Sequence, residues 1–305
     1  MTMIFDLPLS YLGLQLLIGL QNGAFYALLS LGLAVIFGML NVINFAHGAQ
    51  YMMGAFLTWM LLDWVGVSYW WSLLLVPLAL GAFGILIERA LLRWLYDLDH
   101  LYGLLLTFGL VLIIEGVFVE SFGASGLPYN KPDLLAGAQR IPLGALTGNE
   151  KDVMMMPVYR LWIIGVSLAI CLATWFGIEK TRLGSYLRAA TENPMLVRAF
   201  GINVPVMIML TYAFGTALAG FTGVLAAGLQ AVTPHMGANL IIVVFAVVVI
   251  GGMGSIMGSV LTGFALGLVE AFVRIAYPEA SNIVIFVIMI VVLLVRPAGL
   301  FGREA

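Results

Sequence analysis

Asn41, Asn44 and His47 lie in the segment Gly32 to Gly54, GLAVIFGMLNVINFAHGAQYMMG, inside otherwise unbroken apolar sequence. Two amides bring donors and acceptors, and the imidazole can be neutral or charged near physiological pH. Lipid tolerates polar groups and irregular backbone at depth only where protein or a water-filled path covers them. The segment therefore reads as a broken membrane helix whose break faces something hydrophilic, with a transported solute as the candidate. Gly38 and Gly48 bracket the break and permit turn dihedrals. A helix restarting near Asn44 would turn its positive end toward a carboxylate. The plainer alternative is that Asn44 caps that helix and His47 bonds a neighbouring carbonyl.

Further candidates sit in other apolar runs. Thr107 and Gly109 occur in LLLTFGL; a Thr hydroxyl also commonly bonds its own helix carbonyl. Glu115 needs a partner, water or a proton at depth, and no Lys or Arg lies near it in the sequence. The turn GGMGS offers bare backbone at Gly251, Gly252 and Gly254, which suits close approach of a ligand or of another helix. His235, beside Pro234, reads as a solvated residue of an outer turn. There is no GxxxxGK[ST] loop, no Cys/His metal spacing and no GxSxG, so no catalytic residue, cofactor or metal is expected. With few charges in the apolar runs, ion coupling has thin material, and an energy source on another subunit is easier to support.

These residues must be held by membrane helices. The chain is 63% apolar and 9% charged, against about 25% charged in a soluble domain. Apolar runs recur at about Tyr11 to Phe37, Phe45 to Leu62, Tyr69 to Leu86, Leu101 to Phe122, Leu161 to Ile178, Val206 to Leu229, Leu240 to Ala276 and Asn282 to Val295. Most approach the roughly 20 residues that span a bilayer. The run from Leu240 is too long for one helix and divides at Gly251 to Ser255. The expected fold is all-α: a single polytopic transmembrane bundle over residues 1–305, eight to nine helices, with discontinuous helices near the centre. VIFGML (Val35 to Leu40) and VIGGMG (Val249 to Gly254) both close an apolar run at a glycine break. That is either a pair of corresponding interrupted segments or a chance likeness of six residues.

Basic residues orient the bundle. Arg89 and Arg93, then Lys180, Arg182, Arg188 and Arg198, then Arg296 and Arg303 mark one side as cytoplasmic. The N-terminus and the 123–158 loop fall outside. The N-terminus carries Asp6 and no basic n-region, so the first run is expected to stay as a span. Arg274 falls on the outer side, one turn after Glu270, where a local ion pair offsets it. The lone Cys171, in an apolar run, reads as a buried thiol. No basic face points to nucleic acid.

The 180–205 loop differs in kind. Asn193 is expected to cap a short helix with Pro194 in its first turn, and Gly201 to end it. Met195, Leu196, Ala199 and Phe200 form an apolar stripe beside Arg198. Such a helix docks into a partner's groove or lies on the lipid surface.

The series GLAVIFGMLNVINFAHGAQYMMGAF, LTFGL, RAATENPMLVRAFGINV and VVIGGMGSIMGSVLTGFALGLVEA resembles the permease subunits of bacterial branched-chain amino acid ABC importers, over nearly the whole chain. The length resembles the shorter of the two permeases that pair in such systems. The resemblance implies a non-enzymatic inner-membrane subunit working with a second permease, two ATP-binding cassette subunits and a periplasmic solute-binding protein. It also implies that Arg182, Arg188, Glu192, Asn193, Pro194, Arg198, Phe200 and Gly201 lie in a loop coupled to the ATPase. The loop departs from the EAA pattern of other importers. Urea and short-chain amide permeases look similar, and a self-contained secondary transporter or channel is the alternative from another class.

Overall fold

The computed structural model describes residues 3–4, 7–40, 44–96, 98–142, 153–281 and 283–302. The apolar runs form α1 (Leu9–Leu40), α2 (Ala46–Val65), α3 (Tyr69–Ala90), α4 (His100–Phe122) and α5 (Val158–Glu179). Two short helices follow, α6 (Arg182–Glu192) and α7 (Pro194–Ala199). Then come α8 (Val204–Ala227), α9 (Met236–Gly251), α10 (Ile256–Ala276) and α11 (Val284–Val295). Six of these are long and apolar enough to cross a membrane, and α9 and α11 are shorter apolar helices. Setting α6 and α7 aside leaves α1 to α5 and α8 to α11, nine among the described residues and the upper end of the expected range. The division of the Leu240 run falls where the glycines place it, with Gly252 and Gly254 at φ of 100° and 82°. Side chains rarely adopt such angles, so glycine is needed there.

Strands are minor. Met3–Ile4 (β1) pairs with Leu7–Pro8 (β2), and Ala138–Pro142 (β3) pairs antiparallel with Val153–Pro157 (β4) in the long loop. A single helical turn at Asp133–Ala136 precedes β3. A bridge between Leu127 and Val232 ties that loop to the turn between α8 and α9. The hairpin is not legible in a stretch that reads only as polar loop.

α1 is the central post, packed most extensively on α10 and also on α8, α5 and α9, while α8 fills the space between α2 and α3. In lipid, helices gain little from burying apolar surface against each other, so close van der Waals contact and interhelical hydrogen bonds hold them. The α1–α10 seam shows how. Gly19 and Gly23 of α1 face Ala271 and Gly267 of α10, and Ser30 Oγ donates to Ser259 O at 3.2 Å. A charge at depth needs partners, and Glu270 has two. It is buried, accepts from Tyr26 Oη at 2.6 Å, and holds Arg274 one turn along α10. Arg160 Nη1 donates to Gln21 Oε1 at 2.6 Å. α4 and α5 are peripheral, with Gly109 and Gly165 facing open space.

A Cβ at Gly267 would lie 2.3 Å from Gly23 N, whereas one at Gly165 meets nothing within 4 Å. Gly267→Val is expected to destabilise the bundle by about 1–3 kcal/mol through overpacking, and Gly165→Val to leave it near wild type. Thermal unfolding of the detergent-solubilised protein, read on both variants, checks the contrast.

Candidate functional site

Asn41 lies outside the described residues. Asn44 and His47 are buried, and both are closed on protein. Asn44 Nδ2 donates to Tyr212 Oη at 3.3 Å, and Gln50 Nε2 donates to the same hydroxyl at 3.0 Å. Asn44 does not cap α2; the residue at that position is Phe45, which has no side-chain bond to offer. The Phe45 amide donates instead to Thr107 Oγ1 at 3.3 Å, and that hydroxyl donates to Leu104 O at 3.0 Å. His47 Nε2 lies 3.1 Å from Leu29 O on α1. A carbonyl only accepts, so Nε2 carries the proton and Nδ1 is left as an acceptor. This is the plainer of the two arrangements open to His47.

In this conformation the Asn44 and His47 side chains do not face the hydrophilic space expected of them. The space beside the break is a cavity of about 10 Å³ bounded by residues including Asn44, Thr107, Tyr212 and Tyr96, room for about one water. The reason is packing. A Cβ on Gly48 would lie 2.7 Å from Gly237 O, so the first turns of α2 and α9 touch through backbone and shut the break. Closure leaves three buried acceptors with no hydrogen bond among the described residues: Asn44 Oδ1, Gln50 Oε1 and His47 Nδ1. The Gln50 side chain stands beside the imidazole. With the O and N of the Gln50 amide exchanged, Nε2 donates to His47 Nδ1 and Oε1 takes the Tyr212 proton. Any acceptor left unmet costs about 1–3 kcal/mol.

The other candidates scatter. Gly109 lies away from the bundle interior. Glu115 sits apart, toward the C-terminal end of α4, where Oε2 is 3.7 Å from His235 Nδ1 and Oε1 is buried without a partner among the described residues. The structure thus supplies the partner that the sequence left open, from a residue read as merely solvated. Gly251 packs on Gly258, and Gly252 on Gly302 of the C-terminal segment. Gly254 lies elsewhere, meeting Gly38 of α1 backbone to backbone, with the Gly38 Cα 3.4 Å from a Cβ built on it. The two glycine breaks therefore converge at one end of the bundle. There they help to line a cavity of about 480 Å³, together with the last turn of α5, the inner face of α6 and the start of α10.

Around α6 and α7 the local chemistry is as read. Asn193 Oδ1 accepts from Leu196 N at 3.0 Å, Pro194 is in the first turn, and Gly201 turns the chain at φ 82°. Arg182, Glu192, Arg198, Phe200 and Gly201 lie on the outer surface of this segment. Arg188 Nη1 donates to Ile178 O at 2.9 Å and meets Glu179 Oε2 at 3.3 Å. Met195, Leu196 and Phe200 present their apolar stripe outward, Phe200 at 77% exposure, while Val197 faces in with Ala190 and Val204. Sequence reasoning misses helix α6, although Leu183, Tyr186, Leu187 and Ala190 carry helical spacing. It misses Gln50 and Tyr212 as well. Their signal is a polar residue one turn past His47, and a hydroxyl inside an apolar run.

A family model for the branched-chain amino acid transport system permease component matches residues 15–293. The high-affinity branched-chain amino acid transport system permease protein BraD of Pseudomonas aeruginosa is 31% identical over 300 residues, covering 95% of each chain. LivH of Escherichia coli K12, of the same description, is 30% identical with the same coverage. LivM of that organism is 25% identical over 297 residues, which is 90% of this chain but 67% of LivM. No solved structure matches the chain.

Tyr212→Phe removes the oxygen that Asn44 and Gln50 both donate to, leaving two buried amide donors unpaired. It is expected to cost about 1–3 kcal/mol per stranded group, read as a lowered unfolding temperature. A variant as stable as wild type would show that the hydroxyl is not what closes the break.

Proposed function

This chain belongs to the permease components of branched-chain amino acid transport systems, and on that premise we propose that it forms part of the membrane path of an importer for a small apolar amino acid. Its near-complete overlap with LivH and BraD, against partial overlap with LivM, makes it the shorter permease of such a system. Membership implies the partners of an ABC system. We infer that these are a second permease, two ATP-binding cassette subunits on the side carrying α6 and α7, and a solute-binding protein on the side carrying the β3–β4 loop. The basic residues clustered at Arg89 to Arg93 and Lys180 to Arg198 support placing the first of these sides in the cytosol.

The observation that carries the path is the cluster of polar side chains at the break, Asn44, His47 and Gln50, buried together among apolar helices. Polar groups gathered at depth in a membrane bundle mark a path more often than a packing contact. An amino acid's ammonium group brings three N–H donors. We read the present form as an occluded resting conformation, in which opening of the α2–α9 contact exposes these atoms beside Thr107. Glu115 and His235 lie toward the outer mouth, and Gly254 toward the inner one. Net movement requires that ATP binding and hydrolysis on partner chains stabilise one conformation over the other. The outward stripe of α7 is the surface on which that work would be delivered.

Proteoliposomes containing this chain, the second permease, the ATPases and the binding protein are expected to accumulate labelled leucine when ATP is supplied on the ATPase side, and labelled urea or acetamide not at all. Ion-gradient-driven uptake by this chain alone would overturn the assignment in favour of a secondary transporter. In the assembled system, Asn44→Ala is expected to cut uptake at least tenfold. Phe200→Asp or Arg198→Glu is expected to leave the chain in the membrane but lower transport-coupled ATP hydrolysis severalfold. Normal coupling in both loop variants would refute the docking role of α7.

A further inference from the structure

The small cavity beside Asn44 lies close to the basic end of the bundle, and a short linker covers it there. Gly103 and Thr107 of α4 line the cavity, and Gly103 is within one turn of His100, where α4 begins. Between the end of α3 and that start the chain makes a 3-10 turn, Leu92–Leu95. From this linker Leu92, Leu95 and Tyr96 also line the cavity. Leu92 is buried, while Arg93 and Trp94 point away and are exposed.

One side-chain hydrogen bond ties the linker to α3: Tyr96 Oη donates to Glu88 Oε1 at 2.8 Å. Glu88 is only 2% exposed, so its carboxyl is held at depth. It stands in the last turn of α3, where the helix's own carbonyls disfavour an acid. Among the described residues it has no other hydrogen bond and no ion pair; Arg89 and Arg93, its neighbours in sequence, are exposed and do not reach it. Glu270, the other buried acid among the described residues, has Arg274 as well as Tyr26. A buried carboxyl without a cation is costly in a membrane bundle. A permanent tie could be made at lower cost by a neutral side chain. Glu88 and Tyr96 also lie close enough to Tyr212 to act on it electrostatically. The tie therefore stands beside the hydroxyl that gathers Asn44 and Gln50.

We propose that Glu88 is a positioning residue for transport: it holds Tyr96, and with it Leu92 and Leu95, as a door across the inner end of the path. This rests on the reading that the path runs through the break. Opening the door breaks one side-chain hydrogen bond and lifts three side chains, without taking any helix apart. The linker joins α3 to α4 directly, so separation of those two helices draws it off the cavity. Glu88 acts through Tyr96, and what the position needs is an acceptor.

The test puts a reporter, Ile36→Cys, into the assembled system in inside-out vesicles. Ile36 is 1% exposed and lines the cavity, and the native Cys171 is buried. A cationic, membrane-impermeant methanethiosulfonate added on the α6–α7 face is expected to modify this cysteine slowly. Tyr96→Phe and Glu88→Ala should each speed modification about tenfold or more, the shift that losing a hydrogen bond to a carboxylate gives a two-state equilibrium. Glu88→Gln, whose amide oxygen still accepts from Tyr96, should return the rate close to that of the reporter alone. An unchanged rate in both Tyr96→Phe and Glu88→Ala, even with a lowered unfolding temperature, would make the tie merely structural and overturn the door. So would Glu88→Gln reacting as fast as Glu88→Ala, or fast modification of the reporter alone. Labelling is read without transport, so failed leucine uptake beside the expected rates would count against the solute and not against the door.

Discussion

A chain that reverses direction among lipid tails must find hydrogen-bond partners for its turn within the protein, and the arrangement around Tyr212 follows from that requirement. One hydroxyl receives the side-chain amides of Asn44 and Gln50, Thr107 takes the next backbone amide, and Leu29 takes the imidazole. These contacts come from α1, α4 and α8, three helices far apart in the sequence. Closing the turn therefore fixes where those helices stand, and the turn cannot loosen without their moving. Asn44, His47 and Gln50 are all buried, and this concentration of hydrogen-bonding groups at depth is what separates the site from ordinary packing.

Glycine supplies the second half of the design. Where two helices meet through bare backbone, as at Gly23 with Gly267 or Gly48 with Gly237, contact is close but not interlocked by long side chains. Such surfaces hold by many small dispersion terms and can slide without unthreading side chains. The rigid α1–α10 seam and the lighter α2–α9 contact differ in extent rather than in kind. A moving part and a fixed part can thus be made from the same material.

Legibility in the sequence tracks the range of the forces involved. Asn193, Pro194 and Gly201 act within one turn of themselves, and the structure has them as read. The split at Gly251 to Ser255 and the pairing of Glu270 with Arg274 are likewise local. The break after Leu40 can be located from sequence, but whether it is wet or dry cannot, because that depends on Tyr212 arriving from 168 positions away. Glu115 meeting His235 is the same kind of event. The β3–β4 hairpin and α6 escape sequence reasoning for a different reason: both are short and lie within stretches that read as loop, and only the spacing of Leu183, Leu187 and Ala190 betrays the second.

Helix α9 stops after 16 residues, and its final carbonyls are not left bare. Leu300 N donates to Ile250 O at 2.8 Å and Phe301 N to Gly251 O at 3.2 Å, so the helix is finished by backbone from the far end of the described chain. Phe301 and Gly302 also complete the wall of the larger cavity. Loss of Leu300 and Phe301 would strip both carbonyls of their partners at once, so the stop of α9 and the position of this distant segment are set together.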